Sequence, residues 1–110
     1  MINYDGRRFQ ALGAGGEAAV AVYRQSGDLL WGEFSGGETR RGALCGLCAP
    51  DGNLDFTYTT VLTSGEVIAG RCLSTPQVLK DGRIRLHEKW ERFGPNASTG
   101  VSEIEEIESA

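Results

Sequence analysis

The stretch PDGNLDFTYTTVLTSGEVIAGRCLSTPQVLKDG, residues 50–82, decides the fold. It carries three glycine turns, Pro50-Asp51-Gly52, Ser64-Gly65 and Lys80-Asp81-Gly82, with strand-length segments between them. After the first turn the side chains alternate: Leu54, Phe56, Tyr58, Thr60 and Leu62 share one face, and Asp55, Thr57 and Thr59 share the other. Successive side chains of an extended chain point to opposite faces, so this two-residue period predicts a half-buried strand. Short turns on both sides make it one arm of consecutive antiparallel hairpins.

The same punctuation continues upstream at Ser26-Gly27-Asp28 and Gly36-Gly37. The predicted strands are Asn3 to Phe9, Glu17 to Gln25, Leu29 to Ser35, Thr39 to Ala49, Asn53 to Thr63, Glu66 to Thr75, Arg83 to Phe93 and Thr99 to about Ile107. In the second, Val20, Val22 and Tyr23 favour extension over the helix that the alanines would allow. The acidic tail from Ser102 to Glu108 is expected as an edge strand, its charges discouraging unwanted pairing.

This pattern predicts an all-β chain, an up-and-down antiparallel meander of about eight strands. Curling would remove its exposed edges, giving a small closed or partly open barrel, lipocalin-like (calycin) in outline. The alternative is a strongly curved sheet whose open face a second subunit covers, so a homodimer is expected. Gly32, Gly42, Gly46 and Gly70 fall inside strands and suit strong curvature. Residues 1–110 are expected to form a single barrel-like domain, since a chain of this length closes one modest core.

A net charge of −4 argues against a nucleic-acid backbone as partner. The basic residues Arg83, Arg85 and Lys89 alternate with Ile84, Leu86 and Trp90 and read as a solvated strand face. No apolar run approaches a membrane span and no segment resembles a secretory core, so no membrane partner and a cytoplasmic protein are expected. Cys45, Cys48 and Cys72 are odd in number and read as packed, reduced thiols. The Cys45-Gly-Leu-Cys48 spacing lacks the helix of a redox motif and the further ligands of a zinc site, and no metal or cofactor is expected. Gly13-Ala14-Gly15-Gly16 lacks the Lys-Ser/Thr of a phosphate loop.

The sharpest local feature is Glu88, which alternation places with Ile84, Leu86 and Trp90 on an apolar face, opposite His87. A carboxylate there needs a partner or a proton. Arg71 on the preceding strand, or Tyr23 or Tyr58, is the expected partner. A barrel interior holding Glu88, Arg71, Tyr58 and Trp90 would be a polar spot in an apolar pocket, the usual make-up of a small-molecule site. The bland reading of the same group, an internal ion-pair or hydrogen-bond network that fixes strand register, is the slightly heavier one, since structural networks also bury charges.

The chain resembles a family of short bacterial and fungal proteins that often carry the label N-acetylglutamate synthase. The resemblance rests on Tyr4-Asp5-Gly6-Arg7, Gly70-Arg71-Cys72-x-Ser74-Thr75-Pro76 and Asp81-Gly82-Arg83-x-Arg85-Leu86-x-Glu88-x-Trp90, and it covers nearly the whole chain. The label implies acetyl transfer from acetyl-CoA to glutamate on a mixed α/β fold, with a pyrophosphate loop opening a helix. Arg7-Arg8-Phe9-Gln10-Ala11 does not supply that loop. The resemblance therefore implies a fold, and the synthase label is expected not to describe the activity.

Three classes of function remain open. A binding module would hold a small apolar ligand or a partner protein against Tyr23, Trp31, Tyr58 and Trp90. An enzyme would use Glu88 with Arg71 or a tyrosine for proton transfer. An assembly protein would present a flat apolar face made of Leu29, Trp31 and Leu47.

Overall fold

The computed structural model describes residues 2–12 and 18–107. They form β1 (Arg8–Ala11), β2 (Val20–Ser26), β3 (Leu29–Gly36), β4 (Thr39–Cys48), β5 (Leu54–Leu62), β6 (Val67–Val78), β7 (Ile84–Arg92) and β8 (Ser98–Glu106). Each strand pairs antiparallel with the next, and β8 returns to β1 through Phe9↔Glu106, Gln10↔Glu105 and Ala11↔Ile104, closing the barrel. The expected meander is thus a closed one. The glycine-rich 13–16 segment lies outside the described residues.

Three of the connections share one build. In the β4–β5, β5–β6 and β6–β7 loops the first residue donates to the carbonyl four positions on, as Ala49 does to Asn53 at 2.8 Å, and the glycine N–H donates back to it. Gly52 takes φ +89° there, a conformation that side chains with a Cβ rarely adopt. Asp51 and Asp81 cap their loops by accepting from the N–H two residues on, at 3.0 and 3.1 Å. The Asp-Gly signals legible in the sequence therefore set the hairpins mechanically.

Large rings lie over glycines of neighbouring strands. A Cβ on Gly42 would collide with the Phe34 ring, one on Gly70 with Tyr58, and one on Gly100 with Trp90. The interior is filled by alternating large and absent side chains, which is how a narrow barrel accommodates aromatics.

The two ends differ. The β2–β3, β4–β5 and β6–β7 turns share one end with the N-terminal segment, and that end is stoppered. Tyr4 is fully buried; its hydroxyl donates to the Gly52 carbonyl at 2.6 Å and its N–H donates to Gln25 Oε1 at 2.9 Å. Its ring starts an aromatic column through Phe9, Tyr23 and Phe56, with centroid separations of 4.8 to 6.4 Å. This corrects the predicted first strand: Asn3 to Arg7 is a plug, and pairing begins at Arg8. Asp5-Gly6 breaks the strand, Gly6 adopting φ +81°.

The acidic tail is also corrected. It is a closing strand and not a sheet edge, and its acids are clamps: Glu106 accepts from Arg7 and from the Ile84 N–H, and Glu105 accepts from Arg83 and Arg85 at 2.8 to 3.1 Å.

Candidate functional site

At the end opposite the plug the barrel encloses a cavity of about 340 Å³. Its walls are the inward faces of the strands, with Phe34 from β3, Tyr58 and Thr60 from β5, and Trp90 and Arg92 from β7. Tyr23, Leu44, Phe56 and Cys72 also line it and are buried; Tyr58, Trp90 and Arg92 are half-buried, so solvent reaches the cavity from their side. Alternation positions these groups: Glu88, Trp90 and Arg92 follow Ile84 and Leu86 on one face of β7.

Glu88 holds the middle of that face, opposite Ser74 on β6 and Ser102 on β8. The Cys72 thiol donates to its Oε2 at 3.4 Å and the Ser102 hydroxyl to its Oε1 at 3.1 Å. Burial raises the Glu88 carboxyl above its ordinary value, opposed by the hydrogen bonds from Cys72, Ser102 and Ser74. Burial, helped by the Glu88 charge, pushes the Cys72 thiol up to about 12. Tyr23 is raised by burial first and then by the same carboxylate. The Cys72 thiol and the Tyr23 hydroxyl therefore keep their protons near neutrality, and the thiol is no nucleophile.

The structure brings Glu88, Trp90, Tyr58 and Tyr23 to one cavity, the first three on the inward faces that alternation along β5 and β7 gave them. Arg71 is not among them. It faces outward and pairs with Asp55 through two bonds of 2.9 and 2.7 Å, so Glu88 has hydroxyl and thiol partners in place of a guanidinium. The misplacement has a physical cause: beyond Ile68 the inward face of β6 is Gly70, Cys72, Ser74 and Pro76, small because Tyr58, Trp90 and Glu88 occupy the space in front of it. The more apolar-looking face, with Val67 and Leu73, is the outer one.

Trp31 is likewise outside. It is 38 % exposed on the outer face of β3, beside Leu29, while Leu30, Gly32 and Phe34 turn inward. Gly32 conceals that inward face in the sequence. Phe34, Cys72, Ser102 and Arg92 were missed as site residues; the inward parity of β7, extended two residues beyond Trp90, would have found Arg92.

Outside the cavity, His87 sits on the outer face between Gln77 and Glu103, at 2.8 and 3.3 Å, away from Glu88 as alternation predicted. Cys48 is buried and Cys45 exposed, which corrects the expectation of three packed thiols. Three residues apart on one strand, the CxxC pair faces opposite sides of the wall.

A further row of outward residues runs across six strands, Leu29, Leu47, Asp55, Leu73, Lys89 and Val101, each paired in register with the next. Four of the six are exposed apolar side chains. A groove of about 950 Å³ follows part of this row and is lined also by Ser74, Glu88 and Ser102. It is larger than the inner cavity, and the Trp90 and Tyr58 rings do not line it.

No protein of curated function matches the chain in sequence. The profile of avidin-like proteins matches residues 2–107, nearly its whole length, on a closed eight-stranded antiparallel barrel with one plugged and one open end. The chain belongs to the avidin-like family.

Proposed function

We propose that the protein is a binding module that holds a small, mainly apolar molecule inside the open end of its barrel. The observation that carries this reading is the cavity itself: about 340 Å³, walled by Phe34, Tyr58 and Trp90, with the few polar groups converging on it from one face of β7. A mostly aromatic wall with a small number of placed polar groups is the usual composition of a small-molecule site. At about 20–30 Å³ per non-hydrogen atom, the space suits a ligand of roughly 11 to 17 such atoms. Membership of the avidin-like family supports a ligand-binding barrel. Acetyl transfer is not part of this reading, and the free thiols fit a reducing, cytoplasmic setting.

The test is native mass spectrometry of freshly purified protein beside Ala21→Phe, in which a ring is grown from an inward residue of β2 into the cavity. A small mass carried by the wild type and lost from the folded variant is the expected result. A mass retained equally by both would place the ligand elsewhere and overturn the reading.

A second reading rests on the outer row. Leu29 and Leu47 face each other directly in the β3–β4 pair and are 46 and 56 % exposed, so the row could bury itself against a second copy. The same spectrum reads subunit number, and the homodimer expected from the sequence predicts twice the chain mass.

A further inference from the structure

We propose that the cavity selects ligands with a carboxylate at one end, and that Arg92 is the residue that receives it. This rests on the small-ligand reading above and adds the chemical class of the ligand. Arg92 closes the inward face of β7, opposite Gly70 on β6 and Ser98 on β8, neither of which can neutralise it. Its Nε is fully buried and, among the described residues, has no hydrogen-bond partner. No other buried side-chain nitrogen or oxygen of the described residues is left in that state.

The other arginines show how unusual this is for the molecule. Arg7, Arg24, Arg41, Arg71, Arg83 and Arg85 all form ion pairs with carboxylates of the chain. Arg8 and Arg40 have no such pair among the described residues, but both are exposed and water serves them. Arg92 alone is partly withdrawn from water without an acid, and it lines a cavity. A buried donor of a charged group is costly to leave unmade, and native structures that carry one usually carry a ligand, water or ion to meet it. The guanidinium fork matches a planar carboxylate with two parallel bonds.

The rest of the wall sets the ligand's direction. Glu88 lies four residues from Arg92 on the same face, about 13 Å away along the strand, with Trp90 between them. Arg92 is the one cationic side chain lining the cavity among the described residues and stands at its open end, with Glu88 deeper along the strand, so the ligand's body lies inward along Trp90, Phe34 and Tyr58 with its charge at the mouth. Burial raises the Tyr58 hydroxyl, which donates to the Glu91 carbonyl at 3.4 Å, above its ordinary value, and the nearby Arg92 guanidinium opposes that rise.

Octanoate and octanamide separate the charge from the shape. Trp31→Phe leaves Trp90 as the one tryptophan, inside the cavity, and its fluorescence reports both titrations. Octanoate is expected to bind about 10-fold or more tighter than octanamide, because charge-assisted bonds are roughly twice as strong as neutral ones. In Trp31→Phe/Arg92→Gln the preference for octanoate over octanamide disappears, and Arg92→Lys keeps part of it. Equal affinity for the two probes in the Arg92 protein overturns the carboxylate assignment and leaves the cavity reading standing; this comparison needs no Arg92 variant to fold. Failure of both probes to bind at about millimolar concentration overturns the small-ligand reading and the assignment with it.

Discussion

Tyr4 gives the plug a measurable strength. Its hydroxyl is buried and donates to the Gly52 carbonyl at 2.6 Å, and Gly52 is itself buried. Tyr4→Phe keeps the ring and removes the bond, leaving a buried carbonyl without its donor, a change that costs about 1–3 kcal/mol. Unfolding entropy of about 2.1 cal/mol/K per residue gives a chain of 110 residues about 0.23 kcal/mol/K, so the midpoint should fall by about 4–13 °C. Tyr4→Ala also empties the ring's place beside Phe9 and Tyr23 and adds about 3–5 kcal/mol, a large part of the roughly 5–16 kcal/mol expected for a domain of this size. The assay is thermal unfolding by circular dichroism, with octanoate affinity of the Phe variant measured in parallel. The plug is remote from the cavity mouth, so the affinity should not change. A midpoint within about 1 °C of wild type would refute the reasoning about the bond, and an unchanged midpoint with lost binding would refute the assignment of the two ends.

Other consequences follow from the same geometry. Glu88 has a carboxyl raised by burial, so the folded state holds its proton more tightly than the unfolded chain; its contribution is complete below the ordinary value of 4.5 and is lost as pH rises through the folded value. Glu88→Gln should therefore be more stable than wild type at neutral pH, with the difference vanishing near pH 4 in paired denaturant titrations; a constant difference across pH would contradict the burial. Iodoacetamide at pH 8 should label Cys45 in the native protein and reach Cys48 and Cys72 only on unfolding, as mass mapping would show; native labelling of Cys72 would contradict a thiol held near 12. Leu47→Lys should convert any dimer to monomer in sedimentation analysis without lowering octanoate affinity, and loss of affinity with the dimer would mean that the cavity depends on the interface.

The architecture was legible where a strand has one apolar and one wet face. Leu54, Phe56 and Tyr58 declared the inside of β5, and Ile84, Leu86 and Trp90 declared the inside of β7, which carried Glu88 into the cavity by parity alone. The reading failed where the inward face is made of small residues. Gly70 on β6 leaves room for the Tyr58 ring, Cys72 and Ser74 stand opposite Trp90 and Glu88, and Gly32 on β3 lies against the β2 backbone, so the larger side chains Arg71, Leu73 and Trp31 stand outside. Parity on one strand is local; which parity is inward when both faces look alike depends on what the adjacent strands project, and that is a property of the register. Tyr4 was hidden for a different reason: β-propensity describes a plug and a strand equally well, and only the Asp5-Gly6 turn distinguishes them.

The central claim is that ligand enters the barrel and does not lie on its outer row. Proton–nitrogen correlation spectra of the labelled protein, recorded with increasing octanoate, test it directly. The account predicts shifts concentrated at the Trp90 indole, Thr60, Gly70 and Arg92, with Leu29, Leu47, Leu73 and Val101 unmoved. Shifts confined to those four outer residues would contradict it.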